Sequence, residues 1–308
     1  MPRIQFDEAD DLIDICKDNV FKAVFTKNTP ESKGALSRLV SALIGRKVSI
    51  IAISANEPPV ENTQDRQIRF DINCKAKSGE FLNVEMSLNP DPFEPVRLEF
   101  YAGKLFTGQD IKGVEKSFND LKRAYQISIL AREKFFPDGV FFHTFEYFDK
   151  ANGVSLNGRS SIITLELSKL NKVVEKPTEK MSLKEQWAVY FKYLTDKRRR
   201  SKINEILEKE EGIAMASKVL MTISKDEAER FRLMSEEKYQ LDMQSKMVYA
   251  KRLAMKEGLR KGEQIGLRKG ENKGREEGRK EGQQDIIELL KSGKSPKEII
   301  QEYTQKQS

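Results

Sequence analysis

Histidine and tryptophan each occur once in this chain of 308 residues, and cysteine twice. These scarcities exclude several chemistries. Cys16 and Cys74 have neither the spacing of paired thiolate ligands nor the number needed for a disulfide framework. Cys74 falls on the apolar side of an alternating segment and reads as a small core residue. One imidazole, His143, cannot build a histidine-rich zinc centre. It has no nucleophile motif beside it for a Ser-His-Asp arrangement, and it reads as an ordinary strand position in the segment 141–145. No apolar run approaches the roughly 20 residues that span a bilayer. The opening MPRIQFDEADDLIDI carries acids and lacks the apolar stretch of a secretory leader. The expectation is a cytoplasmic chain without a membrane segment.

What is abundant is charge. A third of the residues are charged, the net charge is +7 and the pI is near 9.1. A basic balance favours an anionic partner, nucleic acid first among them. The most informative segment is RFDINCKAKSGEFLNVEMS, residues 69–87. Ile68, Phe70, Ile72 and Cys74 alternate with Arg69, Asp71, Asn73 and Lys75. Beyond a turn, Leu82, Val84, Met86 and Leu88 alternate with Phe81, Asn83, Glu85 and Ser87. Period-two alternation marks two strands, each with one buried face. Lys77-Ser78-Gly79 suits a three-residue loop with the left-handed position at Gly79. Ala76 then pairs with Glu80, Ile72 with Val84 and Phe70 with Met86, and Asp71 lands opposite Glu85. Two adjacent carboxylates repel unless a cation lies between them, so the pair is a candidate divalent-metal site. Acids on the solvent face of a hairpin also arise without any ion.

Elsewhere, helices are expected over Asp18 to Phe25, Pro30 to Ile44 (ended by Gly45) and Glu94 to Thr107, the last following the breaker Asn89-Pro90-Asp91-Pro92. Arg97 and Tyr101, four apart, share a face of the third helix. Val48 to Ser54, Tyr125 to Leu130, His143 to Phe148 and Ile162 to Leu167 read as strands. The fold class is α/β, a central mixed sheet with helices packed on it. After Pro177 the chain turns helical. Ser182–Glu185, Ser224–Glu227 and Ser295–Glu298 each match a capping box. Trp187, Val189, Tyr190, Leu194, Met221, Phe231, Leu233 and Met234 fit packing positions. The run Lys197-Arg198-Arg199-Arg200 is either a solvated helix end or a phosphate contact. Glycine then recurs every fourth residue from Gly258 to Gly282 among Lys, Arg, Glu and Gln. Such a stripe lets two helices approach closely, although glycine disfavours the isolated helix. A solvated linker and a tail that self-associates or contacts DNA are both compatible with it. Two short helices follow. The parts are 1–175, an α/β core; 176–250, a helical region; 251–284, the glycine repeat; and 285–308, a helical pair.

The hairpin resembles the core of the PD-(D/E)XK nucleases, where an Asp ends one strand and an acid-x-Lys triplet sits on the next. More narrowly, the chain resembles the PD-(D/E)XK nuclease family transposases, or recombination-promoting nucleases. The likeness runs from Asp18, Phe21, Lys22 and Phe25 through Phe70-Asp71-Ile72 and Val84-Glu85-Met86. It continues to Arg97, Tyr101, the segment Leu121 to Leu130 and the glycine-repeat tail. The resemblance implies a restriction-endonuclease-like core and magnesium- or manganese-dependent cleavage of DNA, with Asp71 and Glu85 as metal ligands. Ser87 occupies the third catalytic position, where the family carries Gln and the broader superfamily Lys. Asp18, Lys22, Arg97 and Tyr101 are accessory candidates. Because a serine hydroxyl reaches less far than either side chain, a DNA-binding protein with impaired cutting is the first alternative. A scaffold oligomerising through the tail is the second.

Overall fold

The computed structural model describes residues 4–54, 70–90, 92–111, 115–132 and 134–306. Ile68, Arg69 and Asp91, named above, lie outside them. The chain opens with two helices, α1 (Asp18–Thr26) and α2 (Pro30–Ile44). Thr29 caps α2 by accepting the Ser32 N–H, Pro30 occupies the first turn, and Gly45 closes the helix at φ +80°. Next come β1 (Ile50–Ile53), β2 (Ile72–Ala76), β3 (Phe81–Ser87), α3 (Glu94–Thr107) and β4 (Ala124–Leu130). β5 (Phe142–Phe145), β6 (Phe148–Asp149), β7 (Val154–Ser155) and β8 (Ser160–Glu166) follow. The rest is helical: α4 (Leu183–Tyr193), α5 (Arg200–Lys209), α6 (Glu211–Lys225), α7 (Glu227–Lys291) and α8 (Pro296–Lys306).

Six strands form one mixed sheet in the order β1-β2-β3-β4-β8-β5. β3, β4 and β8 run parallel, while β1, β2 and β5 pair antiparallel. One face of the sheet is aliphatic. Leu82, Val84, Met86, Ile127, Ile129, Ile163 and Leu165 are buried there in a core shared with Phe21, Phe25, Leu36, Leu39 and Trp187. The other face is polar yet also buried. Asn83, Glu85 and Ser87 on β3 stand beside Gln126 and Ser128 on β4 and Thr164 and Glu166 on β8. Helix α3 packs against this face, with Leu105 clustering with Ala124 and Phe70. A sheet face lined with amides, hydroxyls and acids under a helix is expensive to bury unless it is hydrogen-bonded. That expense points to a function.

The hairpin register follows the sequence pattern. Ile72 pairs with Val84 and Cys74 with Leu82, the Ala76 N–H bonds the Glu80 carbonyl, and Gly79 takes φ +95°. Its outer end differs. The ladder stops at Ile72, and Phe70 packs edge-on against Tyr101 of α3 with ring centroids 5.5 Å apart. Asp71 therefore sits at a bend at the strand's mouth. β1 starts at Ile50 because the Val48 N–H and carbonyl are both engaged by the Ser41 hydroxyl of α2. The strand expected over 143–148 divides in two. β6 and β7 form their own hairpin around a turn in which Asp149 accepts from the Ala151 N–H and Gly153 sits at φ +69°.

Among the helices, Ser182 and Ser295 cap as the capping-box pattern predicts. Ser224 does not. It lies in the last turn of α6, where its hydroxyl accepts from the Ile13 N–H, and Asp226 caps α7 instead by accepting from the Glu229 N–H. Leu233 is buried, whereas Phe231 and Met234 point outward. The basic run is largely consumed internally. Arg198 pairs with Asp196, Arg199 with Glu175, and buried Arg200 donates to the Leu194 carbonyl. The chain divides into two compact units, 1–237 and 238–308. The second unit is helical and carries all seven repeat glycines.

Candidate active site

The polar face opens at the mouth of β2 and β3, where three elements bring charged groups together. Helix α1 supplies Asp18 and Lys22, one turn apart. Phe21 and Phe25 between them bury the opposite side of the helix and fix its rotation. Lys22 Nζ lies 3.0 Å from Asp18 Oδ2 and 3.0 Å from Asp71 Oδ1. The second Asp71 oxygen accepts from the Met86 N–H at 3.2 Å. From β3, Glu85 is 4% exposed; its Oε1 meets Arg97 Nη1 at 2.7 Å and its Oε2 accepts from Gln126 Nε2 at 3.1 Å. Gln126 is in turn held by Asn83 at 3.0 Å. From α3, Glu94 takes the other arm of Arg97 at 2.6 Å, and the guanidinium lies 5.7 Å from the centre of the Tyr101 ring.

The structure brings the pattern-based candidates close together. Asp18, Lys22, Asp71, Glu85, Arg97 and Tyr101 lie around one mouth, and Ser87, buried, is the next residue on the same face of β3. Two participants escaped the sequence reading. Glu94 looks like an ordinary first-turn acid, and Gln126 sits in an unremarkable strand. Only the burial of the face and the parallel β3–β4 pairing reveal them.

The electrostatics are unbalanced. Four carboxylates (Asp18, Asp71, Glu85, Glu94) meet two cations (Lys22, Arg97). Burial, reinforced by the charge of Asp18, pushes Asp71 up to about 6. Burial and the charge of Asp71 push Glu85 up to about 8, against the pull of Arg97. Burial alone would lower Lys22, but Asp71 and Asp18 outweigh it and raise it. One Asp18 oxygen, Oδ1, is buried without a hydrogen-bond partner in the protein. Excess acid, raised carboxyls and an orphaned oxygen make a donor set that a divalent cation would fit.

His143 takes the strand position expected, on β5 opposite Thr164, and there it also meets two acids. Its Nε2 lies 2.9 Å from Asp138 Oδ2 and its Nδ1 4.0 Å from Glu166 Oε1. Among the described residues, Asp138, His143 and Glu166 are the one trio of such side chains whose ligand atoms lie within 4.8 Å of one another. That trio already holds a cation. Lys169 Nζ bridges Glu166 at 2.6 Å and Asp138 at 3.0 Å, with its side chain 2% exposed. A metal ion there would face a buried ammonium, so the donor set fits Lys169 better. The hydrogen bond from Lys169 leads the effects that hold Asp138 down to about 2.

Fold and site together define a nuclease-like α/β protein, a six-stranded mixed sheet with acids gathered at a strand mouth. The profile of the PD-(D/E)XK nuclease family transposases matches residues 15–250, and the chain belongs to that family. Membership carries a nuclease-type function. No curated protein and no solved structure gives a significant match. Among the described residues no helix is long and apolar enough to cross a membrane.

Proposed function

We propose that the chain is a cytoplasmic, magnesium- or manganese-dependent DNA endonuclease. The observation that carries this reading is the surplus of buried carboxylate at one mouth, with an Asp18 oxygen left without a partner. Asp71 and Glu85 would hold the ion, with Asp18 at its edge. When bound, the ion supplies Lewis-acid polarisation of the phosphoryl oxygen and acidifies a water.

The chain's own residues supply the rest. Arg97, whose side chain is 37% exposed, has five N–H donors and can turn those not given to Glu85 and Glu94 toward a phosphate. Lys22, held between two acids, offers a second positive charge beside the position a scissile phosphate would take. Gln126 donates to Glu85 and fixes the orientation of its carboxylate. Ser87 stands at the place of the third catalytic residue with a short hydroxyl, which favours slow cutting. The second reading, DNA binding with impaired cleavage, rests on that residue.

The deciding experiment is nicking of supercoiled plasmid with magnesium, manganese or chelator, running Glu85→Ala beside the parent. Metal-dependent nicking that disappears in the variant is the expected result. DNA binding without nicking under any metal would replace the endonuclease with the binding protein.

A further inference from the structure

Glu94 opens α3 and is 1% exposed, a depth that carboxylates seldom reach unless paired. It accepts from Arg97 Nη2 at 2.6 Å, while Arg97 Nη1 reaches Glu85 at 2.7 Å and the guanidinium rests over Tyr101. Three neighbours therefore fix one planar cation whose side chain remains partly exposed. Of the three, Glu85 is the residue that a bound cation would engage. An arginine held by Glu85 alone would be released at that moment and recover the rotamer freedom that binding must then remove.

We propose that Glu94 is a positioning residue. It holds the Arg97 guanidinium at the mouth of the site, aimed at a backbone phosphate of nucleic acid, so that Arg97 keeps its place whatever Glu85 is bound to. This rests on the DNA reading above. The Tyr101 ring centre lies 5.7 Å from the guanidinium, and Glu94 accepts from its Nη2. The bland account makes Glu94 a mere counter-charge for Arg97, and the two accounts predict opposite signs. Deleting a negative charge beside a phosphate-binding cation should strengthen DNA binding if only charge matters. Deleting an anchor should weaken it.

The test is fluorescence anisotropy of a labelled duplex with the full chain at fixed salt in calcium, a divalent ion that takes carboxylate ligands in place of magnesium, with the duplex checked on a gel to be uncut. Arg97→Gln should weaken binding about tenfold, the effect of one charge-assisted hydrogen bond to phosphate. Glu94→Met, which removes both the charge and the acceptor, should weaken it about fivefold by the same principle. Glu94→Gln, which keeps an acceptor, should fall between Glu94→Met and the parent. In the Glu94→Met/Arg97→Gln double variant the loss should equal that of Arg97→Gln alone, because no arginine is left to position. Binding by Glu94→Met that matches or exceeds the parent overturns the proposal. If Glu94→Met does not fold by circular dichroism, Glu94→Gln carries the test, with weaker binding expected and equal or tighter binding overturning it. Unchanged binding by Arg97→Gln overturns the proposal too, yet leaves the plasmid assay to judge the nuclease reading. A parent chain that neither binds nor nicks DNA removes both.

Discussion

Glu85 is the residue on which the physical arguments converge, because it is buried, next to Asp71 and still in contact with Arg97. Its carboxyl is raised to about 8 in the fold, against an ordinary value near 4.5. Between those two values the folded chain keeps a proton that the unfolded chain has released, so stability falls as pH rises through the window. Glu85→Gln should therefore leave Tm nearly unchanged at pH 4.5 and raise it at pH 8.5, as thermal melts across that range would show. A gain of equal size at both ends would mean that desolvation of the charge is not the cause. If Glu85 holds magnesium as proposed, the same shift means that the ion should displace a proton at neutral pH. Calorimetry in buffers of differing ionisation enthalpy should find proton release at pH 7 that fades by pH 9. Ser87→Gln should raise the nicking rate, since an amide there reaches further toward the water or phosphate; an unchanged or lower rate would deny position 87 a catalytic role. The acids on the two arms of the hairpin were legible in the sequence because period-two alternation separates polar from apolar positions. Glu94 and Gln126 were not, because their importance arises from α3 covering the polar face and from the parallel pairing of β4, both long-range events.

At the scale of elements, local chemistry decided what could be read. Helix α2 is delimited by a Thr cap, a Pro and a left-handed Gly within its own sequence, and its span was predicted to the residue. The hairpin register followed from Gly79. Where tertiary contacts compete, local reading failed. Ser224 belongs to a Ser-x-x-Glu pattern, yet its hydroxyl is taken by the Ile13 N–H, 211 residues away in sequence. The cap of α7 passed to Asp226. The two serve different partners, and their replacement should be felt differently. Asp226→Ala should cost about 1 kcal/mol, the usual worth of an N-cap. Ser224→Ala leaves a buried N–H without its acceptor and should cost about 1–3 kcal/mol. Urea unfolding of both variants measures this, and an Asp226→Ala variant as stable as the parent would take the capping role away from Asp226.

For the molecule as a whole, the second unit poses an energetic question. Seven glycines lie in α7 at every fourth position, and an added Cβ would meet nothing within 4 Å at any of them. Each costs about 1 kcal/mol relative to alanine in a helix interior, so roughly 7 kcal/mol stands against this helix in isolation. A glycine line advancing four residues at a time turns about 40° per step and makes a shallow groove along which a second helix can lie close. A second copy of the tail is a partner that could offset the glycine cost, and we expect the chain to self-associate through it. Sedimentation should report more than one copy for the full chain and a single copy for a chain ending at residue 237, the edge of the first compact unit. Replacing all seven glycines with alanine then separates packing from propensity. It should raise helical ellipticity, because alanine favours the helix, and yet dissolve the assembly, because methyl groups hold the helices apart. A parent chain that sediments as a monomer, with the alanine variant differing only in helicity, would reduce the repeat to a solvated spacer.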